Sequence, residues 1–127
     1  MKTNQVIPFI VDWLETYAKN SKVNGFVIGV SGGVDSAVTS TLCAMTGLEV
    51  MCLEMPIHQS ESHVSRAQEH ITQLEKKFPN VQSTRVNLSP VFDGFKNEID
   101  LQQPQATVDM ALANSRARLR MTTLYYY

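Results

Sequence analysis

The sequence has no long apolar run, no excess of charge of either sign and few cysteines. No stretch approaches the roughly 20 apolar residues of a membrane-spanning helix, and the first residues lack a basic region followed by an apolar one. The 11 Lys and Arg residues against 12 Asp and Glu residues give a net charge of −1, so an overall basic surface for nucleic acid is missing. We therefore expect a cytoplasmic protein that has no nucleic acid and no membrane as a partner.

Cysteine is limited to Cys43 and Cys52, which form no Cys-x-x-Cys pair and have no histidine at ligand spacing. Cys43 falls inside a predicted helix and Cys52 inside a predicted strand. Cysteines in such positions behave as small buried apolar side chains. The sequence thus predicts neither a disulfide framework nor a zinc site.

Glycine is also scarce, with six residues, but two of them are adjacent in the stretch around which the chain is organised. An apolar strand over 26–28 precedes this stretch, and a helix over 37–45 follows it. A strand, a tight turn and a helix start present free backbone N–H groups and a positive helix end to an anion, for which phosphate is the best candidate. The predicted phosphate loop contains eight residues: Gly29, Val30, Ser31, Gly32, Gly33, Val34, Asp35 and Ser36.

The phosphate loop fits neither of two common phosphate-binding motifs. A Walker loop has a Lys before its Ser or Thr, whereas Asp35 precedes Ser36 here. A dinucleotide-binding fingerprint that starts at Gly29 needs glycine where Ser31 and Val34 stand. A carboxylate is repelled by a polyphosphate unless a divalent cation lies between them, so Asp35 is predicted to be an Mg²⁺ ligand.

The hexapeptide Ser-Gly-Gly-Val-Asp-Ser at 31–36 resembles the SGGxDS loop of the ATP pyrophosphatases, which split ATP into AMP and pyrophosphate. These enzymes include NAD synthetase, the synthetase domain of GMP synthase, argininosuccinate and asparagine synthetases, and tRNA-thiolating enzymes. The alternative is an ordinary glycine-rich turn between strand and helix, which does not need Asp and Ser at fixed positions.

Hydrophobic periodicity and breaker residues predict five helices and three strands. Helices are expected over 5–18, from the phosphate loop to Gly47, over 62–77, over 89–95 and from about 107 to the last residue. Strands are expected over 26–30, 50–53 and 81–88, the last of them near a sheet edge because it alternates more. Gly47 is a predicted left-handed C-cap, Ser89 is a predicted N-cap, and 96–105 is a predicted surface loop.

The first predicted helix carries an apolar stripe at steps of three and four, which we expect to face the core: Val6, Phe9, Ile10, Trp13, Leu14 and Tyr17. Strands that are apolar on both faces and separated by helices indicate an open parallel sheet with helices on both faces. We expect residues 1–127 to be one α/β domain, and the resemblance implies the adenine nucleotide alpha-hydrolase-like (PP-loop) type. Ligands of such sheets bind at the carboxyl ends of the strands.

The last predicted helix distinguishes among the members of this family. The segment from Asn114 to Met121 resembles the N-x-x-A-R-x-R-M helix of NAD synthetases, in which the Arg after Ala contacts deamido-NAD. That residue is Arg118, whose rigid fork suits carboxylate or phosphate oxygens, whereas Arg116 and Arg120 share a different helix face. The alternative is a solvated basic helix end.

The end of the second strand supports the same family. Met55-Pro56 resembles the Leu-Pro pair that NAD synthetases place against the adenine of ATP, and Gln59 corresponds to a nearby polar contact. The family commonly has Arg two residues before this Pro, where the present sequence has Glu54. The resemblance thus implies an ATP site made of the phosphate loop, Met55 and Gln59.

The resemblance implies ammonia-dependent amidation of deamido-NAD to NAD, through an acyl-adenylate, with ATP as co-substrate and Mg²⁺ on Asp35. It also implies a homodimer, and ammonia that comes from solution or from another chain. NAD synthetases continue through a comparable second half, so the sequence is expected to be the N-terminal part of such an enzyme. The rival predictions are another ATP pyrophosphatase, of the GMP synthetase or tRNA thiolase type, and a catalytically silent adenine-nucleotide-binding domain.

Overall fold

The computed structural model describes residues 2–99 and 104–127, which form a three-stranded parallel sheet and five helices. The helices are α1 (Thr3–Asn20), α2 (Val34–Met45), α3 (Glu61–Lys77), α4 (Ser89–Glu98) and α5 (Gln105–Tyr126). The strands are β1 (Gly25–Gly29), β2 (Glu49–Glu54) and β3 (Val81–Arg85). The predicted parallel α/β architecture is confirmed.

The strands lie side by side in chain order, β1-β2-β3, with Phe26 opposite Val50 and Val50 opposite Val81. Successive crossovers of one hand that advance in one direction bring their helices to the same face of a sheet. Accordingly, α2 and α3 share one face, and Leu14 of α1 packs against the same core. This core contains nine buried residues: Val30, Cys43, Ala44, Val50, Cys52, Ala67, Ile71, Leu74 and Val81.

The opposite face of the sheet is covered by α4 and α5. Its buried residues come from β2, from the chain that follows it, and from the two helices: Leu53, Met55, Ile57, Leu88, Phe92, Val108 and Leu112. Because helices lie on both faces, β1 and β2 are apolar on both sides, whereas the more alternating β3 lies at an edge of the described sheet, as the sequence predicts. Cys43 and Cys52 are free and buried, which confirms their predicted role as apolar side chains.

The prediction for the stripe of α1 is partly wrong. Leu14 packs on the core and Ala18 is fully buried, but Phe9, Trp13 and Tyr17 are all more than half exposed. The exposed residues follow one another at steps of four, so they form a row beside the buried one, and the Trp13 ring stacks on Tyr17 at 5.3 Å. The apolar surface of α1 is therefore wider than the surface on which the helix packs.

The third strand is shorter than predicted, since β3 ends at Arg85 instead of residue 88. Pro56 has no N–H, so regular pairing with β2 cannot continue past that point. Two hydrogen bonds follow the end of β3, from Val86 N to the Glu54 carbonyl (2.8 Å) and from Leu88 N to the Pro56 carbonyl (3.0 Å). The start of α4 is thereby attached to the chain that follows β2.

Ser89 is not the N-cap of α4, contrary to the prediction. Leu88 occupies the cap position, and the Ser89 hydroxyl accepts a hydrogen bond from His58 N at 3.1 Å. The hydroxyl thus makes a contact between elements in place of a local cap.

Gly47 follows α2 with φ +76°, as predicted for a left-handed residue at a helix end. Part of the predicted 96–105 loop is helical, because α4 extends to Glu98, and residues 100–103 lie outside the described ones. Within 2–99 and 104–127, the helices are too short or too polar to cross a membrane.

Candidate functional site

The phosphate loop lies at the carboxyl end of β1 and runs into the first turn of α2. Gly32 has φ +85°, a conformation that side chains with a Cβ rarely adopt. A Cβ at Gly32 would also come within 2.6 Å of the His63 carbonyl oxygen on α3. Gly33 is extended, with φ −89° and ψ 162°, and it caps α2 without a side-chain acceptor. The first N–H groups of α2 therefore remain available to an anion.

Two serine hydroxyls hold the phosphate loop closed on itself. Ser31 N donates to Ser36 Oγ at 3.2 Å, and Ser36 Oγ donates to the Gly33 carbonyl at 3.1 Å. Gly33 N donates to Ser31 Oγ at 3.3 Å, and the two hydroxyls are 3.3 Å apart. These contacts join residues at most five positions apart, so the turn from Ser31 to Ser36 is shaped mainly by its own sequence.

Helix α3 supports the loop through a contact with α2, the helix that follows the loop. The fully buried Ser40 on α2 is 2.8 Å from His70 Nε2 on α3. The same hydroxyl lies 2.7 Å from the Ser36 carbonyl and 3.1 Å from the Ala37 carbonyl of its own helix. Partial burial lowers the pKa of His70 below its ordinary value of 6.5. A neutral imidazole therefore links the two helices beside the loop.

A cavity of about 320 Å³ opens next to the loop, between the end of β2 and helix α5. It is lined by Gly29, Val30, Ser31, Leu53, Met55, Gln59, Ala117, Arg120, Met121 and Leu124. The structure thus brings together five of the residues predicted for the ATP site: Gly29, Val30, Ser31, Met55 and Gln59. An apolar wall beside phosphate-binding amides suits a flat base with its sugar and phosphates.

Arg120 is a cavity residue that the sequence analysis did not select. Its Nε donates to the Met55 carbonyl at 3.0 Å, which joins α5 to the end of β2. Burial, and then the nearby Arg116, lower the pKa of Arg120. Val108 and Leu112 are buried on the same helix, and Arg116 and Arg120 continue their row at steps of four. That continuation was the available signal in the sequence.

The other six predicted site residues lie outside the cavity lining: Gly32, Gly33, Val34, Asp35, Ser36 and Arg118. Asp35 is exposed in the first turn of α2. Arg118 is exposed on α5, while the Arg116 guanidinium lies 5.4 Å from the centre of the Phe92 ring. The two arginines therefore point to different sides of the helix, as the spacing predicts. The role of Arg118 toward deamido-NAD stays a prediction.

Glu54 is half-buried at the carboxyl end of β2, opposite Arg85 of β3. Burial raises the pKa of this carboxyl, and the Arg85 charge opposes the rise. The carboxylate thus lies beside a cation of its own sheet.

A larger cavity, of about 680 Å³, lies at the opposite end of the sheet. Its lining includes Gly25, Glu49 and Asn80 at the starts of the strands, and Tyr127 at the end of α5. Open α/β sheets bind ligands at the carboxyl ends, where helix N-termini converge, so the smaller cavity is the better candidate.

Comparison with known proteins agrees with this geometry. The NAD synthase family model matches residues 6–127. The chain is 34% identical to an NH(3)-dependent NAD(+) synthetase of Mesoplasma florum over 127 residues, which cover 98% of this chain and 49% of that protein. The chain spans about half the length of the curated relatives that it matches.

Two solved structures superpose over the whole chain. An NMN synthetase from Francisella tularensis gives a TM-score of 0.86 at 30% identity, with 50% of that chain covered. An NH3-dependent NAD synthetase from Campylobacter jejuni, in complex with a nitrate ion, gives 0.84 at 28% identity, with 52% covered. The family match over nearly all residues, together with the phosphate loop at the end of β1, shows that the chain belongs to the NAD synthase family.

Proposed function

We propose that this chain carries the ATP-binding part of an ammonia-dependent synthetase that amidates deamido-NAD to NAD, a ligase reaction that releases AMP and pyrophosphate. The observation that carries the proposal is the position of the phosphate loop. Gly29, Val30 and Ser31 of the loop line the cavity together with Met55 and Gln59, and the loop then runs into the first turn of α2, whose N–H groups are free. A base between these residues would direct its phosphates to the loop. In this proposal residues 1–127 act as one ATP pyrophosphatase-type domain.

In the proposed reaction the deamido-NAD carboxylate attacks the α-phosphorus of ATP, pyrophosphate leaves, and ammonia displaces AMP from the acyl-adenylate. The N–H groups at the start of α2 would stabilise the departing pyrophosphate. Alignment of the two substrates suffices, so no protein nucleophile is required. In agreement, burial raises the pKa of both Cys43 and Cys52 to about 11, which leaves them as inert thiols. This property disfavours the tRNA thiolase alternative.

Asp35 is the proposed protein ligand of Mg²⁺. Within 2–99 and 104–127 no group of three or more His, Cys, Asp or Glu residues could hold a metal by itself. One carboxylate is nevertheless a suitable donor set, because Mg²⁺ is commonly held by one or two carboxylates together with substrate phosphates. When bound there, the ion would neutralise the charge that develops on pyrophosphate. The resemblance places a second acidic ligand in the other half of such enzymes.

Arg118 is the proposed contact of deamido-NAD. Its guanidinium is exposed on α5, on a side of the helix that neither Arg116 nor Arg120 uses. An exposed, unburied fork can bind a carboxylate or phosphate bidentately.

A homodimer is the proposed assembly, in the cytoplasm. Several large apolar side chains of α5 are strongly exposed, among them Met110 (66%), Tyr125 (82%) and Tyr126 (85%). Such a surface exceeds what a solvated helix needs and fits contact with a second copy. Light scattering coupled to size-exclusion chromatography measures this property: a mass of two chains is expected, and a monomer contradicts it.

A coupled assay of pyrophosphate release tests the activity, with the protein as its gene encodes it. The expected result is release that requires ATP, Mg²⁺, ammonia and deamido-NAD together, with NAD as the product. Release with a GMP precursor in place of deamido-NAD would support the GMP synthetase alternative. ATP binding with no release would support the silent binding domain.

Nicotinate mononucleotide is the second acceptor to test, because one of the similar structures is named an NMN synthetase. Equal concentrations of the mononucleotide and the dinucleotide give two values of kcat/KM. A higher value for deamido-NAD supports the proposal, and a higher value for the mononucleotide replaces it with NMN synthesis.

A further inference from the structure

The backbone of His58 has positive φ, a conformation that is uncommon in residues other than glycine. His58 lies in the chain that follows β2, between Met55 and Gln59 of the cavity, with φ +49°. Within the described ranges, Lys22 is the one other non-glycine residue with positive φ. A residue with a Cβ keeps this conformation only where its surroundings impose it, and such positions cluster at functional sites.

Helix α4 supplies the contacts that impose it. His58 N donates to the Ser89 hydroxyl at 3.1 Å, in the first turn of α4. His58 Nε2 lies 2.7 Å from Asp93 Oδ1, one turn further along. Since a carboxylate can only accept, Nε2 carries the proton. Both the backbone and the side chain of His58 are therefore bound to the same helix.

The same segment is also held from its other side. Arg120 Nε on α5 donates to the Met55 carbonyl at 3.0 Å, and the Met55 and Ile57 side chains are buried. Residues 55–59 are therefore hydrogen-bonded both to α4 and to α5. His58 itself is absent from the cavity lining, whereas Met55 and Gln59 belong to it. The turn at His58 decides where Gln59 lies relative to Met55.

We propose that His58 is a positioning residue for the nucleotide cavity, and that its pairing with Asp93 keeps Met55 and Gln59 in the arrangement that lines it. The inference rests on the proposed function of that cavity as an ATP site. It assigns to Asp93 and Ser89, about 30 residues away in the sequence, a role in nucleotide affinity without contact with the nucleotide.

The His58–Asp93 pair is well suited to a local role. Both side chains are about half exposed, at 58% and 49%, and exposed pairs add little to global stability. Loss of the pair should therefore loosen one segment without unfolding the domain. A looser segment weakens ground-state binding of ATP but leaves the chemical step intact once ATP is saturating.

The test uses His58→Ala and Asp93→Ala in the protein as its gene encodes it. We expect the KM for ATP to rise about two- to fivefold in each variant, the range of an exposed ion pair. The kcat at saturating ATP and the melting temperature should not change. The double variant should show no further rise, because both changes remove the same contact.

Two conservative variants test the mechanism itself. Asp93→Asn keeps an oxygen that accepts from Nε2, so it should restore most of the affinity that Asp93→Ala loses. His58→Gly loses the side chain but adopts positive φ freely, so its KM should lie between those of the original protein and His58→Ala.

The matched control is Glu15→Ala, which removes an exposed pair of equal length on α1, Glu15–Lys19 at 2.7 Å. It should leave the KM for ATP unchanged. An unchanged KM in both His58→Ala and Asp93→Ala overturns the positioning role, and so does a loss of kcat and melting temperature at constant KM. If the original protein binds no ATP, as measured by calorimetry, the proposed function fails as well.

Discussion

The two walls of the candidate cavity are built in opposite ways. The turn from Ser31 to Ser36 of the phosphate loop is held by hydrogen bonds between residues at most five positions apart, and Val30 before it donates to the Leu53 carbonyl of the neighbouring strand. The Met55–Gln59 wall is held by partners 31, 35 and 65 residues away in the sequence. A locally bonded loop can be recognised as a motif, whereas a wall held by distant helices cannot. The turn of one wall is thus encoded in six consecutive residues, 31–36, whereas the other wall depends on how two distant helices pack.

The largest effect is expected from Asp35→Asn. This variant tests whether the phosphate loop acts through a bound metal ion in addition to its backbone N–H groups. Turnover should fall by about 100-fold or more, because the proposed protein ligand of Mg²⁺ is lost where charge develops. The melting temperature should change little, because the side chain is exposed and its helix-dipole contribution is at most about 1 kcal/mol. Steady-state pyrophosphate release and thermal unfolding measure the two effects. Full activity at ordinary Mg²⁺ concentration would contradict the assignment.

Gly32→Ala and Gly33→Ala distinguish two reasons for glycine in the loop: the backbone conformation of the loop, and the space that phosphate needs beside the backbone. Gly32→Ala should weaken ATP binding by about tenfold or more and lower stability by about 1–2 kcal/mol, since it combines positive φ with a contact of 2.6 Å to the His63 carbonyl. Gly33→Ala should preserve stability, because its backbone is extended and the added Cβ meets Ser31 Oγ at 3.4 Å. Calorimetric titration with ATP, beside chemical denaturation, distinguishes the variants.

A loss of ATP affinity in Gly33→Ala without a loss of stability would show that phosphate approaches the backbone there. Unchanged affinity in both glycine variants would show that the loop does not hold phosphate.

Arg118→Ala, with Arg116→Ala as its control, tests whether α5 contributes a contact to deamido-NAD. Loss of a charged hydrogen-bond partner costs about 1.5–3 kcal/mol, so the KM for deamido-NAD should rise roughly 10- to 100-fold in Arg118→Ala. The KM for ATP should be little affected. Arg116 lies against Phe92 on another side of the helix, so Arg116→Ala should change both constants much less. Equal effects from the two variants would indicate a diffuse basic surface.

The smallest effect is expected for the pH dependence of stability, through His70 of α3, which contacts α2 beside the phosphate loop. Burial lowers the pKa of His70 below 6.5, so protonation opposes folding. The contribution of neutral His70 to the unfolding free energy is complete above about pH 6.5 and is lost as the pH falls through 6.5 toward the lower folded-state pKa. Urea denaturation at about pH 7.5 and about pH 5.5 measures the free energy of unfolding. Between these two pH values it should decrease more for the original protein than for His70→Gln. Equal decreases would contradict the assignment.

The elements themselves were largely predictable, because each depends on nearby residues. The strands β1 and β2 are continuous apolar runs, and Gly47 ends α2 with the left-handed φ that its position implies. The errors occurred where a residue serves a distant partner. Ser89 is a good cap in isolation, but its hydroxyl is taken by His58. The aromatic row of α1 has helical spacing, but spacing does not tell how much of a helix surface finds a partner.

The sequence by itself determined the phosphate loop, the parallel α/β order and the face on which Arg118 lies, because backbone preference, periodicity and short-range hydrogen bonds act between neighbours in the chain. Only the tertiary structure decided which residues close the cavity. In the folded chain, Arg120 donates to the Met55 carbonyl, and Asp93 lies beside His58. Such contacts appear only after the helices pack, because their partners lie 35 and 65 residues apart in the sequence.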